Sequence, residues 1–413
     1  KLDSEFSTFS LIGYSINKDD QLSLKLYKNV PKQILDVLLI LSKILFILLF
    51  YKFFFKFKRY DRTYISVFLL SIIATILIII IKDQNLLFGL RYFRGGADGL
   101  FHEYQGLQII NNFYNFDIFN ALKGGEDVFY FMPGLRYFVA ISKIFNGDTS
   151  YAYLIIGILL PIFLYNFLKN LISKKIALVS IISFLFIPIF ENIGFGHFNY
   201  IHQIMRNHAE TLSITIIIYT LSRLSNKDFL QNTNFYELFF LTFILAFASF
   251  CRPNFFPTTS LIVIYLFYNL LFQKRFYLVL SLSGYLFIFS GLLHNIYYGN
   301  DISLFTQSNL HFVYNTVFQK LNINNLEDNL FLMQILKWNP LYNLHRLIIL
   351  FFVIYCFIKF KKNSFIFLVF LIVVSQHIVL LITHPDSRYA YLAWLITFIL
   401  FLNYLFNNYL KKL

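Results

Sequence analysis

The chain has 413 residues, of which 58% are hydrophobic and 14% are charged. Because soluble domains carry roughly 25% charged residues, this composition excludes an ordinary soluble domain and predicts an all-α polytopic membrane protein. The formal net charge is +14. Lys and Arg stand in short groups between apolar runs, which is the pattern of membrane topology, so we expect no nucleic-acid partner.

The apolar runs predict roughly eleven transmembrane helices. They lie near 34–55, 63–81, 150–168, 175–190, 209–222, 236–250, 258–272, 277–293, 346–359, 365–382 and 389–407. Residues 1–32 precede these runs and lack an apolar signal core, so they are treated as an N-terminal segment without an assigned role. We expect residues 33–413 to form one integral membrane domain.

The loops between the runs fall into two alternating sets. One set is short and basic and comprises 56–62, 169–175, 222–228, 273–275 and 359–362. By the positive-inside rule this set is cytoplasmic, which places the long loops 82–149, 191–208 and 294–345 outside. We therefore expect a protein of the bacterial inner membrane whose site faces the periplasm or the exterior.

A cluster of charged residues follows the second apolar run. Beyond its glycines, apolar residues recur at helical spacing, which predicts an amphipathic helix at the membrane interface. Asp98 is placed at its N-cap, with His102 and Gln105 on one face and Glu103 roughly 140° away. Asp98 is interpreted either as a cap or as a general base that deprotonates an acceptor hydroxyl. The other three are candidate substrate-binding residues.

A second polar segment, 124–138, predicts an ordered loop that enters another interfacial helix. It combines a Gly pair, two carboxylates, an aromatic run, Pro-Gly and an Arg. Glu126 is a candidate for contacting a sugar hydroxyl or for capping a helix, and Arg136 is a candidate substrate-binding residue.

The loop 191–208 adds a third group. His202, Arg206 and Glu210 recur at i, i+4 and i+8, so one helical face is predicted to carry all three and to line a cavity. No HExxH motif is present, so no metal site or other cofactor is assigned, and the use of a divalent metal is left open.

Two arginines stand at outer helix ends further along the chain. Arg252 precedes a proline in a very short turn, and Arg388 with Tyr389 opens the last apolar run. An arginine in such a place either snorkels to lipid headgroups or binds a phosphate or pyrophosphate leaving group through its forked donors.

The ordered set of these motifs resembles the GT-C glycosyltransferases, which are polytopic enzymes that use polyprenyl-phosphate-linked sugars. The motifs are GGADGLFHE (95–103), FYFMPGLRYF (129–138), FCRPN (250–254) and HPDSRYAYLAWL (384–395). The resemblance implies inverting transfer to a glycan, lipid or protein acceptor. Asp98 would be the base, and Arg388, with Arg252 or Arg206, would neutralise the phosphate.

The chain departs from that superfamily in two respects. It has no DxD or Asp-Glu pair in the first loop, and its residues 1–62, which include the apolar run near 34–55, are not a feature of the simplest members. Three other functions remain open. A polysaccharide polymerase or ligase would use a lipid-diphosphate donor, and an acyltransferase would use a His-Asp pair. A transporter or flippase would place ionisable groups in mid-membrane, where Gln376 and His377 lie in an apolar run.

Overall fold

The computed structural model describes residues 37, 40, 41, 44, 62–82, 97–147, 151–187, 195–226, 228–304, 363–382 and 387–408. Within these ranges the regular secondary structure is helical. The helices are α1 (Arg62–Lys82), α2 (Ala97–Tyr114), α3 (Ile118–Lys123), α4 (Gly134–Asn146), α5 (Tyr151–Leu171), α6 (Lys174–Phe186), α7 (His197–Met205), α8 (Ala209–Leu224), α9 (Phe229–Asn232), α10 (Phe235–Cys251), α11 (Phe256–Phe272), α12 (Phe276–Val279), α13 (Ser290–Gly299), α14 (Ser364–Ile382) and α15 (Ser387–Asn408). Two 3₁₀ segments, Pro253–Phe255 and Leu280–Phe289, join some of them.

Five helical stretches in the described residues are long and apolar enough to cross a membrane. They are Thr63–Lys82, Tyr151–Leu171, Pro253–Phe272, Phe276–Gly299 and Arg388–Asn407. At about 1.5 Å per residue, twenty residues match a hydrocarbon core of about 30 Å. Phe235–Cys251 and Ser364–Val379 are also apolar but shorter.

The predicted number of eleven spans is not confirmed. The predicted runs near 175–190 and 209–222 form α6 and α8, with 13 and 16 residues. At about 1.5 Å per residue both are shorter than the hydrocarbon core. The run near 346–359 lies outside the described residues, and so does the run near 34–55 except for four helical positions.

Helix α8 lies at the centre of the bundle and is buried along almost its whole length. It packs against α5 on one side and α10 on another, and it touches α15. The hydroxyl of Ser213 donates to the carbonyl of Ala248 at 2.8 Å, so α8 and α10 are tied by an interhelical hydrogen bond. Such bonds support helix association where lipid removes the hydrophobic driving force.

The described parts of the two sets of loops lie at opposite ends of this bundle. At the basic end, Asn170 donates to the Ser225 hydroxyl at 2.9 Å, and Arg275 donates to the carbonyl of Gln231 at 3.0 Å. The N-terminus of α8, the C-terminus of α10 and the start of α15 meet at the other end. The structure thus separates the loops as the alternation predicts, and their sidedness stays a prediction.

Candidate functional site

Five side chains from four parts of the chain meet at the end of the bundle opposite the basic loops. We call Asp98, Glu210, Arg252, Arg388 and Tyr389 the arginine–carboxylate cluster. Arg388 donates from Nη1 to Asp98 Oδ2 at 3.0 Å and from Nη2 to the Tyr389 hydroxyl at 2.6 Å. Sequence analysis selected four of these residues, and the structure brings those four together.

Glu210 and Tyr389 join the two guanidinium groups. Arg252 donates from Nε to Glu210 Oε1 and from Nη2 to the Tyr389 hydroxyl, both at 2.8 Å. The Nε atom of Arg388 lies 3.9 Å from the same carboxylate oxygen. The guanidinium carbons lie 5.1 Å and 4.7 Å from the centre of the Tyr389 ring, within cation–π range. Two like charges are thus held side by side by one carboxylate and one aromatic ring.

The cluster has a buried layer and an open layer. The side chains of Glu210 and Arg252 are 1% and 13% exposed. Those of Arg388 and Asp98 are 22% and 32% exposed. A buried charge requires a matched partner, so the inner pair forms a fixed base. The outer pair is open to solvent and can exchange its partners with a ligand.

The two arginines lie at helix ends. Arg252 follows α10 in an extended conformation (φ −150°, ψ 111°), and Pro253 begins the next 3₁₀ turn. Proline has no N–H and cannot continue the hydrogen-bond ladder of α10, so the chain turns there and Arg252 stands at the corner. Arg388 lies in the first turn of α15, where a cation opposes the helix dipole. The carboxylates of Asp98 and Glu210 offset that cost.

Three helix N-termini converge on the cluster. Asp98 is in the first turn of α2, Glu210 is in the first turn of α8, and Arg388 is in the first turn of α15. The N-terminal turn of a helix carries a partial positive charge, which favours an anion nearby. Together with two guanidinium groups, this arrangement suits a phosphate.

The prediction that Asp98 caps α2 is wrong, because the residue before it is already helical. The helix begins at Ala97, so Asp98 lies inside the first turn. Its carboxylate is therefore directed to Arg388 rather than serving as the helix cap. Helix boundaries shift easily by one or two residues, and here the shift decides what the carboxylate contacts.

The prediction that His202, Arg206 and Glu210 share one helical face is also wrong. Helix α7 ends at Met205 and α8 begins at Ala209. Between them Asn207 adopts a left-handed conformation (φ 56°), which asparagine tolerates better than most residues. The break sends Glu210 into the cluster, whereas His202 stays on α7.

The break between α7 and α8 is clamped against the start of α2. Asn207 donates from its side-chain amide to the carbonyl of Gly99 at 3.1 Å. A Cβ atom on Gly99 would lie 2.2 Å from the backbone oxygen of Arg206. Only glycine fits there, and this close approach holds Asp98 in register with the break.

His102 and His202 lie in different surroundings. His102 is 3% exposed, and burial, with Arg136 and Arg252 nearby, keeps its pKa well below the usual range. It is therefore a neutral group beside the cluster. His202 is half-buried, and burial together with Lys82 and Arg206 lowers its pKa. Neither histidine carries a charge at neutral pH.

The remaining predicted residues of α2 contact α4 and the loop that precedes it. Glu103 forms an ion pair with Lys143 of α4 at 2.6 Å, and both side chains are at most 6% exposed. Gln105 lies against Gly125, where a Cβ atom would meet its Oε1 at 1.7 Å. These contacts fix α2 on α4 and so fix the position of Asp98.

Arg136, in the first turn of α4, forms an ion pair of 2.8 Å with Glu126 of the loop that precedes that helix. Arg136 is fully buried and also donates to the carbonyls of Gly124 and Phe131. These contacts order the loop, while the substrate-binding role of both residues stays a prediction.

Glu210 is the site residue that sequence reasoning placed wrongly, and His208 is one that it did not select. The available signal was a carboxylate in the first turn of a largely apolar helix, because an unpaired charge there would be costly. In the part of the chain that the structure describes, no group of three His, Cys, Asp or Glu side chains has the arrangement of a metal site.

The polar side chains in the apolar run of α14 are bonded to neighbouring helices. Gln376 donates to Thr258 at 2.7 Å and to the carbonyl of Asn254 at 3.2 Å. His377 lies 3.2 Å from the hydroxyl of Thr397 and packs edge-on against Trp394. Their contacts are those of helix packing.

Comparisons with known proteins give one solved structure. No protein-family profile matches the chain, and no curated protein matches its sequence. The apo crystal structure of the oligosaccharyltransferase of Archaeoglobus fulgidus is similar, with a TM-score of 0.46 and 12% sequence identity. The match covers 84% of this chain and 51% of the other, so the chain spans about half the length of that enzyme. The function proposed for this chain therefore rests on its own residues.

Proposed function

We propose that the chain is a membrane glycosyltransferase that transfers a sugar from a polyprenyl-phosphate donor to a glycan, lipid or protein acceptor. The observation that carries this proposal is the arginine–carboxylate cluster at one end of an apolar helical bundle. It combines a partly exposed carboxylate with two guanidinium groups that share one tyrosine hydroxyl. A base and an anion site lie side by side there, as sugar transfer from a phosphate requires.

Binding of the donor begins with an exchange of ion pairs. Arg388 is the more exposed guanidinium, and its Nη1 is bonded to Asp98. A phosphate that takes this donor replaces one carboxylate contact by another charge-assisted bond. The Asp98 carboxylate then loses its bond to Arg388, so its oxygens are available to the hydroxyl of the acceptor.

The chemical step is a single displacement at the anomeric carbon. The acceptor oxygen forms a bond to that carbon, and its proton passes to the Asp98 carboxylate. The bond between the anomeric carbon and the phosphate oxygen breaks, and its electron pair leaves with the polyprenyl phosphate. Arg388 and Arg252 stabilise the charge that builds on this leaving group, and the configuration inverts.

The position of the cluster favours a donor that arrives within the bilayer. The cluster lies at the end of the bundle opposite the basic loops, which the positive-inside rule assigns to the cytoplasm. We accordingly place the site at the periplasmic or outer face of a bacterial plasma membrane. A lipid-linked donor keeps its chain between helices and its phosphate at the interface.

The test is sugar transfer by the Asp98→Asn variant in detergent micelles or nanodiscs. Donors would be a panel of radiolabelled polyprenyl-phosphate-linked sugars. Loss of a general base lowers rates by about 10²–10⁴-fold, so we expect at least a hundredfold fall in turnover. The matched control is Asp228→Asn, which makes the same change on an exposed carboxylate at the opposite end of the bundle.

Three results would contradict the proposal. Full transfer by Asp98→Asn, with an unchanged melting temperature, would remove Asp98 as the base. An equal loss in Asp228→Asn would show that the effect does not come from the cluster. Transfer by the wild-type protein from a lipid-diphosphate donor alone would favour a polymerase or ligase instead.

A further inference from the structure

His208 is a buried polar group beside the cluster that the proposed chemistry leaves unused. It is 2% exposed and stands at the N-cap of α8, two residues before Glu210, yet its side chain makes no capping bond. Its electrostatic neighbours are Glu210, Arg388, Arg206 and Asp98. The imidazole therefore lies among the charged groups that would hold the donor.

The backbone of His208 is fixed on both sides. Its N–H donates to the carbonyl of Gln203 at 3.1 Å. Its carbonyl accepts from the hydroxyls of Tyr153 at 3.2 Å and Thr211 at 2.8 Å. These bonds place the ring in the site without using either ring nitrogen.

Both ring nitrogens of His208 are buried and have no hydrogen-bond partner among the described residues. Buried polar side-chain atoms nearly always have a partner in protein or ligand, so this pair of atoms points to a bound group. Burial, with Arg388 and Arg206 nearby, lowers the pKa of His208 to about 4, although Glu210 and Asp98 oppose that shift. At neutral pH the ring is thus uncharged and offers one donor and one acceptor.

The acceptor nitrogen of His208 is a neutral acceptor separate from the carboxylates. Arginine side chains only donate, Glu210 accepts from Arg252 in the buried layer, and Asp98, which accepts from Arg388, is assigned to the acceptor hydroxyl. A phosphate needs donors and is served by the guanidinium groups. A sugar hydroxyl needs an acceptor for its proton, and a neutral imidazole in this position supplies one.

We propose that His208 binds a hydroxyl of the transferred sugar and thereby distinguishes a glycosylated polyprenyl phosphate from the bare lipid phosphate. This inference rests on the proposed function and names the part of the donor that the residue recognises. Arg388 binds the phosphate in both ligands. His208 contributes only when the sugar is present.

The experiment compares two ligands in detergent micelles by titration calorimetry. The probes are farnesyl phosphate and the best-bound member of a set of farnesyl-phosphate-linked glucose, mannose, galactose and arabinose. His208→Phe keeps a ring but removes both nitrogens. We expect it to bind farnesyl phosphate within about twofold of the wild type and the sugar-linked probe about tenfold more weakly, which corresponds to about 1.4 kcal/mol.

Two variants serve as controls. His208→Gln keeps one donor and one acceptor and is expected to hold the sugar-linked probe within about threefold of the wild type. His197→Gln alters another buried histidine, whose Nε2 lies 3.0 Å from the Thr75 hydroxyl, and is expected to change stability without changing the ratio of the two affinities.

The outcomes separate the two proposals. If His208→Phe weakens both probes equally, or weakens neither, the role of His208 in sugar recognition is refuted while the phosphate site stands. If His208→Gln folds but binds the sugar-linked probe as poorly as His208→Phe does, a hydrogen-bond acceptor at position 208 does not account for sugar binding, and the inference is refuted. If the wild type binds neither probe, the proposed function itself fails.

Discussion

Replacing Glu210 by Gln removes the buried negative charge of the arginine–carboxylate cluster at nearly constant volume. Glu210 is 1% exposed, and its Oε1 accepts from Arg252 at 2.8 Å and lies 3.9 Å from Arg388. The variant leaves two adjacent guanidinium groups with less compensation. A hydrogen bond to a charged group contributes about 1.5–3 kcal/mol, and breaking a buried pair costs about 3–5 kcal/mol. Because Gln keeps one acceptor oxygen, we expect a loss of about 2–4 kcal/mol.

The opposite end of the bundle supplies the same substitution in an exposed setting. Glu237 pairs there with Arg223, and the two side chains are 36% and 39% exposed. Exposed ion pairs contribute about 0–1 kcal/mol, so Glu237→Gln should cost much less than Glu210→Gln. The assay is unfolding by sodium dodecyl sulfate in mixed micelles, followed by the fluorescence of the two tryptophans, of which Trp394 is 4% exposed.

A double variant sharpens the measurement. If Glu210 and Arg252 act as a pair, the cost of Glu210→Gln with Arg252→Gln falls short of the sum of the single costs by at least about 1 kcal/mol. Equal losses in Glu210→Gln and Glu237→Gln would refute the reasoning, because burial would then make no difference. A gain in stability from Glu210→Gln alone would refute it as well.

Three more predictions concern the close approach at Gly99, the titration of His208 and the sidedness of the loops. Gly99→Ala should lower the free energy of unfolding by about 1–3 kcal/mol and disturb the cluster, because the new Cβ would lie 2.2 Å from the Arg206 carbonyl oxygen. Gly291→Ala is the control: its Cβ would meet ordinary contacts at 3.4 Å, so its thermal melt should match that of the wild type. Between about pH 6.5 and 4 the folded state binds fewer protons at His208 than the unfolded state does. The free energy of unfolding should therefore fall as the pH falls through that range, by at most about 1.4 kcal/mol per pH unit for this group. His208→Gln should reduce this pH dependence. Cysteines introduced at Asn111 and Asn226, both exposed positions, should react with an impermeant maleimide from outside and from inside the membrane, respectively. Reversed labelling would refute the outward orientation of the site, which the proposed lipid-linked donor requires.

Local and compositional signals in the sequence predicted much of the fold. Apolar runs such as 63–81 and 389–407 predicted helices because a chain in lipid must satisfy its backbone polar groups within each segment. The alternation of basic loops predicted which helix ends lie together, and the described part of the chain groups them so. The number of spans is not confirmed, because hydropathy detects apolar composition and does not set where a helix such as α6 ends.

The candidate site was likewise predictable only in part from the sequence. Asp98, Arg252, Arg388 and Tyr389 were predictable because a charge or its partner at a membrane helix end is costly and rarely accidental. Because these residues are far apart in the sequence, their contacts, such as that of Asp98 with Arg388 at 3.0 Å, could not be predicted from it. The helical-face pattern misplaced Glu210, because one left-handed residue, Asn207, interrupts the helix that the pattern assumed.

The sequence by itself therefore determined that the chain is a helical membrane protein, which loops share an end of the bundle, and which charged residues need a reason to be there. Only the tertiary structure decided that Glu210 and Tyr389 bind both arginines, that Arg136 is buried against Glu126, and that both ring nitrogens of His208 are enclosed among the charges. The physical reason is that periodicity and charge are local properties of the chain. Ion-pair partners and burial depend on which helix ends packing brings together.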